Sequence, residues 1–323
     1  MILSKLVGMV PKKRLLEDRL RNVVMTMVAA SSVALTLVAA PVSGASRSTV
    51  IHAVGAENEY ANVISQIGGR YVEVQAVMSN PNTDPHTFEA STSVAQEIAS
   101  AKLIVQNGVG YDAFMNQLES ASPSSSRKVL SVQSLLGLSN NTKNPHLWYK
   151  PTTMPLVARA IEKDLSSLDP IHALYFEARL TSLLTSLKKL DADILSFRSS
   201  RAGVKVATTE PVADYLLQAL GLDNETPFPF QADVMNGVDP SPEDISFQQH
   251  LFTSHLVKVF CYNAQVSSPV TLSLRDLAMT SHVPVVAVYE TMPTPHFDYQ
   301  TWMIAEINAI GEAIEHHTST TSL

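Results

Sequence analysis

The chain has a single cysteine in 323 residues, Cys261, so no disulfide can form within it. It contains neither HExxH nor GxSxG, the signatures of helix-borne zinc peptidases and of serine hydrolases built on a nucleophile elbow. Its glycine-rich turn, Asn107-Gly108-Val109-Gly110, lacks the GxxxxGK[ST] spacing of a phosphate loop and reads as a tight turn. Cys261 lies in the apolar run Val257-Lys258-Val259-Phe260-Cys261-Tyr262, which reads as a buried, unreactive thiol; a soft metal ligand is the alternative.

Basic residues concentrate at the amino terminus, where Lys5, Lys12, Lys13, Arg14, Arg19 and Arg21 precede an apolar run from Val23 to about Ala45. Ser43-Gly44-Ala45 offers small residues where a signal peptidase reads, so residues 1–45 are expected to be a secretory signal, with translation starting at Met1, Met9 or Met25. An uncleaved membrane anchor is the alternative, since the run is just long enough to span a bilayer. Without residues 1–45 the chain carries 17 Lys and Arg against 28 Asp and Glu, about −11. That charge disfavours nucleic acid and anionic lipid and gently favours the approach of cations.

Two short stretches share a design. In Asp84-Pro85-His86 and in Asn144-Pro145-His146 a small polar residue, a proline and a histidine follow one another, and apolar or aromatic residues come next. Proline fixes φ and withholds a donor, so each imidazole sits on a stiff turn at the end of an element. Glu210 and Glu290 each end a predicted strand. Two imidazoles and two carboxylates make a complete donor set for a divalent transition metal. Glu210 precedes Pro211 and also reads as a dipole-matched cap of the following helix. His52, His172, His250, His255 and His282 have no such partners and read as structural.

From Ser46 short β-branched runs alternate with helical stretches, the pattern of parallel α/β layers. Strands are expected at 49–54, 71–77, 102–106 and 129–132, then at 204–207, 256–262 and 283–289. Between the two series Leu180, Leu183, Leu184, Leu187, Leu190, Ile194 and Phe197 form one apolar stripe, which predicts a helix over about 171–198. A helix of about 28 residues spans about 42 Å, enough to join two lobes and resist wide hinge opening. Residues 223–241 read as a proline-punctuated loop. The expected organisation is a signal at 1–45, an α/β lobe at 46–169, a linking helix at 170–201, a second α/β lobe at 202–315 and a disordered tail at 316–323.

The stretches DPHTFE (84–89), NPHLWY (144–149), VATTEPVADYL (206–216) and VPVVAVYETMP (283–293) resemble solute-binding proteins of zinc/manganese-type metal ABC transporters, over about residues 49–312. The resemblance implies two lobes with mostly parallel sheets, a long rigid connecting helix and a metal site in the cleft between them. It places metal ligands on His86, His146, Glu210 and Glu290; the family more often has aspartate at the last, and Asp298 competes for the role. It further implies a non-enzymatic, periplasmic, monomeric receptor that captures Mn2+ or Zn2+ and delivers it to a membrane permease subunit. No cysteine lies near the cleavage site, which disfavours the lipid-anchored form found among relatives, and no histidine-rich acidic loop is present. Two carboxylates binding through both oxygens would offer six donors, which suits manganese better than tetrahedral zinc. A secreted adhesin or scavenger uncoupled from transport is the alternative. A metallohydrolase would need three ligands, an open water position and a separate base.

Overall fold

In the computed structural model, residues 50–82, 88–293 and 295–323 are described. The expected signal at 1–45 and His86 lie outside them. Residues 48–323 form one compact unit.

The first sheet consists of β1 (Ile51–Glu57), β2 (Val72–Met78), β3 (Leu103–Gln106) and β4 (Lys128–Ser131), all parallel in the order β2-β1-β3-β4. Helix α1 (Asn58–Gly68) follows β1 so tightly that a Cβ on Gly55 would stand inside the backbone of Ala61; only glycine fits there. Helices α2 (Thr92–Ser100), α3 (Ala113–Ala121), α4 (Val132–Leu135) and α5 (Thr153–Leu168) complete this half. Strand β3 is buried along its whole length, as a parallel strand covered on both faces must be.

The second half repeats the plan. Strands β5 (Lys205–Thr208), β6 (Asp223–Asn224), β7 (Val259–Asn263) and β8 (Val285–Val288) are parallel in the order β6-β5-β7-β8, the same permutation as in the first sheet. Helices α7 (Asp214–Leu220), α8 (Phe228–Met235), α9 (Pro242–Thr253), α10 (Pro269–Thr280) and α11 (Tyr299–His316) surround it. Between α5 and β5 runs the longest helix, α6 (Ala173–Arg201). Its stripe Phe176, Leu180, Leu183, Leu187, Leu190, Ile194 and Phe197 is buried, and it packs on α1 and α5 of the first half and on α7 and α11 of the second. These residues share one apolar core with side chains from both sheets.

Two expectations differ from the structure. Residues 223–241, expected as a loop, contain β6 and α8; Pro227 precedes the helix and Pro229 falls in its first turn, where a missing N–H costs nothing. Residues 316–323, expected as a disordered tail, end α11 at His316, turn left-handed at His317 and bridge to β8 through Thr320. Thr320 pairs there with the backbone of Val285 and Ala287, and the Leu323 N–H donates to the Tyr289 hydroxyl. Serine and threonine offer little apolar surface to dock, but their backbone groups pair as well as any, and Leu323 packs against the core.

Polar bonds also join the halves. The side-chain amide of Asn58 donates to the Met292 carbonyl at 2.8 Å and accepts from its N–H at 3.0 Å. Tyr299 donates to the carbonyl of Trp148 at 2.7 Å, and Asn144 Nδ2 donates to the carbonyl of Pro211 at 2.6 Å. No helix among the described residues is long and apolar enough to cross a membrane.

Candidate metal centre

Open α/β sheets bind ligands beyond the carboxyl ends of their strands, and both expected glutamates fall there. Glu210 lies two residues beyond β5 and Glu290 two beyond β8, while His146 stands in the connection between α4 and α5. All three are buried: His146 is 0%, Glu210 2% and Glu290 1% exposed. Helix α7 begins only at Asp214, so Glu210 is not its cap.

Proline and asparagine fix the histidine. The Asn144 Oδ1 accepts the His146 backbone N–H at 2.9 Å and lies 2.8 Å from its Nδ1. An acceptor at Nδ1 selects the tautomer that carries its proton there, which leaves the lone pair on Nε2. Nε2 stands 3.3 Å from Glu290 Oε2. Trp148 and Tyr111 meet the imidazole edge-to-face, with centroids at 5.4 Å and 5.7 Å.

Around Glu290 the donors converge. The Tyr111 hydroxyl donates to Oε2 at 2.9 Å, and the Asn263 amide donates to Oε1 at 2.7 Å. Burial, and then the nearby Glu290 carboxylate, push the Tyr111 phenol up, so it remains a donor. The backbone N–H groups of Glu290 and Thr291 both donate to Gln265 Oε1, which holds the turn that carries the carboxylate. Asn263 also donates to Glu210 Oε1 at 3.1 Å, so one amide touches both carboxylates.

Asp298, the competitor, caps α11 instead: its N–H bonds Thr301 and its carboxylate accepts from Asn62 at 3.0 Å. Cys261 is buried in β7, and burial pushes its thiol up, which fits an inert core position. Two further buried acids were not expected. Glu57 and Glu59, at the junction of β1 and α1, are buried, and burial holds both carboxyls well above the usual range. Among the described residues no three His, Cys, Asp or Glu side chains are placed to hold a metal by themselves; the fourth expected donor, His86, lies outside that set.

Asn263, Tyr111 and Gln265 were missed in the sequence. The one available signal was that Asn263 ends its apolar strand much as the two glutamates follow theirs.

A family model described as the periplasmic component A of a zinc-uptake complex matches residues 54–313. The manganese-binding lipoprotein MntA of Bacillus subtilis is 23% identical over 178 residues, 53% of this chain and 58% of its own length. The substrate-binding lipoprotein PsaA of a Streptococcus mitis manganese ABC transporter is 22% identical over 242 residues, 70% of this chain and 75% of its own. The first two curated relatives are thus spanned over only 62% and 58% of their length. The solved structure of the solute-binding protein FpvC of Pseudomonas aeruginosa with Mn2+ superposes with a TM-score of 0.68 at 20% identity, over 82% of this chain and 98% of that one.

Proposed function

The chain belongs to the family of the periplasmic zinc-uptake component A, and we propose that it is the extracytoplasmic substrate-binding component of a metal ABC importer, taking Mn2+ or Zn2+ as cargo. His146, Glu210 and Glu290 are the proposed ligands among the described residues, and His86 completes the set. The observation that carries the reading is the 3.3 Å between His146 Nε2 and Glu290 Oε2. A tetrahedral ion with bonds of about 2.0–2.1 Å spaces its ligands by about 3.3 Å, so these two atoms stand at one edge of such a shell. With neutral imidazoles and two carboxylates, a divalent ion brings the site to zero net charge.

Capture needs no chemistry. The ion stabilises the arrangement in which all four side chains meet, and a permease that distinguishes this arrangement receives the cargo; the ligand shifts the balance only by its differential affinity. The ligands must be deprotonated, so affinity falls as pH drops through the histidine range. The proposal extends to a monomeric protein exported by cleavage near Ser46, with no enzymatic activity and no nucleic-acid partner. Lobe boundaries are taken at 46–169 and 202–315, joined through 170–201.

Elemental analysis of gently purified mature protein tests the reading. About one equivalent of manganese or zinc per chain is expected. A metal-free protein that takes up neither ion on titration would overturn it.

A further inference from the structure

Strand order puts one residue between the two carboxylates. In the sheet β6-β5-β7-β8, β7 lies between the strand leading to Glu210 and the strand leading to Glu290, and Asn263 is its last residue. Asn263 is fully buried. Its Oδ1 accepts the backbone N–H of Gln265 at 3.0 Å, so the amide cannot be flipped: its Nδ2 must face the other way. There it donates to Glu210 Oε1 at 3.1 Å and to Glu290 Oε1 at 2.7 Å. The Asn263 backbone N–H is held in turn by Thr209 Oγ1 at 2.9 Å.

We propose that Asn263 is a specificity-determining positioning residue, which presents Glu210 and Glu290 to the cargo through one oxygen each. This rests on the reading of those two glutamates as ligands. A carboxylate whose Oε1 is held by a buried N–H cannot turn in its plane to offer both oxygens without giving up that bond, and a buried amide left without its acceptor costs free energy. The cargo therefore meets Oε2 of Glu290, the oxygen that stands against His146 Nε2 and that keeps a lone pair for the ion beside its bond from Tyr111. Two one-oxygen carboxylates and two imidazoles make four donors, the usual zinc number, whereas six would suit manganese. The expectation of manganese counted both oxygens of both acids; Asn263 removes two of the six. The amide also does what a lysine or arginine here could not. It fixes both acids and leaves their negative charge to the cation.

Asn263→Leu keeps the side-chain shape without a donor, and Asn263→Ala opens the space. Each is titrated competitively with zinc and manganese, and the zinc-loaded proteins are measured by X-ray absorption. About four nitrogen and oxygen neighbours are expected for the wild type and five or six for the variants. The affinity for zinc relative to manganese should fall about tenfold or more, the scale on which groups behind a ligand act. Loss of affinity for both ions in equal proportion, with an unchanged neighbour count, would reduce Asn263 to a structural residue and overturn the proposal. Either variant suffices if its metal-free form unfolds cooperatively. Wild-type protein that binds neither ion sinks the receptor reading and this inference together. Normal wild-type binding with variants unaltered in both readouts sinks this inference alone.

Discussion

The hydroxyl of Tyr149 lies 2.7 Å from the carbonyl oxygen of Tyr289, and it thereby ties the residue three after His146 to the residue just before Glu290. The same hydroxyl stands 2.8 Å from Glu306 Oε1, which also accepts from Trp302 Nε1 at 2.9 Å. One phenol has one proton. Both short contacts are satisfied if a neutral Glu306 donates to Tyr149 and Tyr149 donates to Tyr289. Burial favours that state and pushes the Glu306 carboxyl up to about 8.

Tyr149→Phe should therefore cost about 1–3 kcal/mol, since it leaves a buried carbonyl and a buried acid without their partner. Urea unfolding of the metal-free protein measures it. A variant as stable as wild type would show that the phenol bonds do not hold the two turns together.

Stability should fall as pH rises. A folded-state carboxyl raised from 4.5 to about 8 binds more protons than its unfolded counterpart, so its contribution is intact below the unfolded range and is lost as pH climbs through about 8. Glu57 and Glu59 are raised as well and act in the same direction. Glu306→Gln, which keeps an acceptor for Trp302, should flatten part of the decline in Tm of the metal-free protein between about pH 5 and 9. An identical slope in wild type and variant would remove Glu306 from the account.

His86→Ala and His146→Ala should each weaken metal binding by about a hundredfold or more, beyond the loss expected for a residue behind a ligand. At a metal concentration about a hundred times the wild-type Kd, stabilisation by metal should drop from about 2.7 to about 0.4 kcal/mol. His250, on α9 and bonded to Ser254, is the control. Comparable loss in His250→Ala would show that the site is misplaced.

Glu210→His should move relative affinity toward zinc, because a nitrogen donor replaces a hard oxygen and one bond to Asn263 is lost. Competitive titration with both ions gives the ratio. A ratio equal to that of wild type would place Glu210 outside the shell.

The sequence carries the proposed ligands more openly than what holds them. His146 is marked by Pro145, and Glu210 and Glu290 by the apolar strands they follow, because these cues lie within a few residues of each side chain. The long helix α6 is readable for the same reason: its stripe repeats along one continuous stretch. Asn263, Tyr111 and Tyr149 are different. What makes each matter is a partner tens of residues or more away, brought near by the strand order β5-β7-β8 and by the packing of the two halves. Helix α8 was hidden by Pro227 and Pro229, which mark a helix start as readily as a loop.

The bonds that Asn58, Tyr149, Tyr299 and Asn144 make between the halves involve amides, phenols and backbone groups, none of which carries a formal charge. Dissolved ions at 0.1 M largely screen exposed charges more than about 10 Å apart, but they have little purchase on neutral dipoles paired out of water. These four contacts are therefore little affected by salt. The two halves thus keep these contacts in dilute and concentrated salt alike.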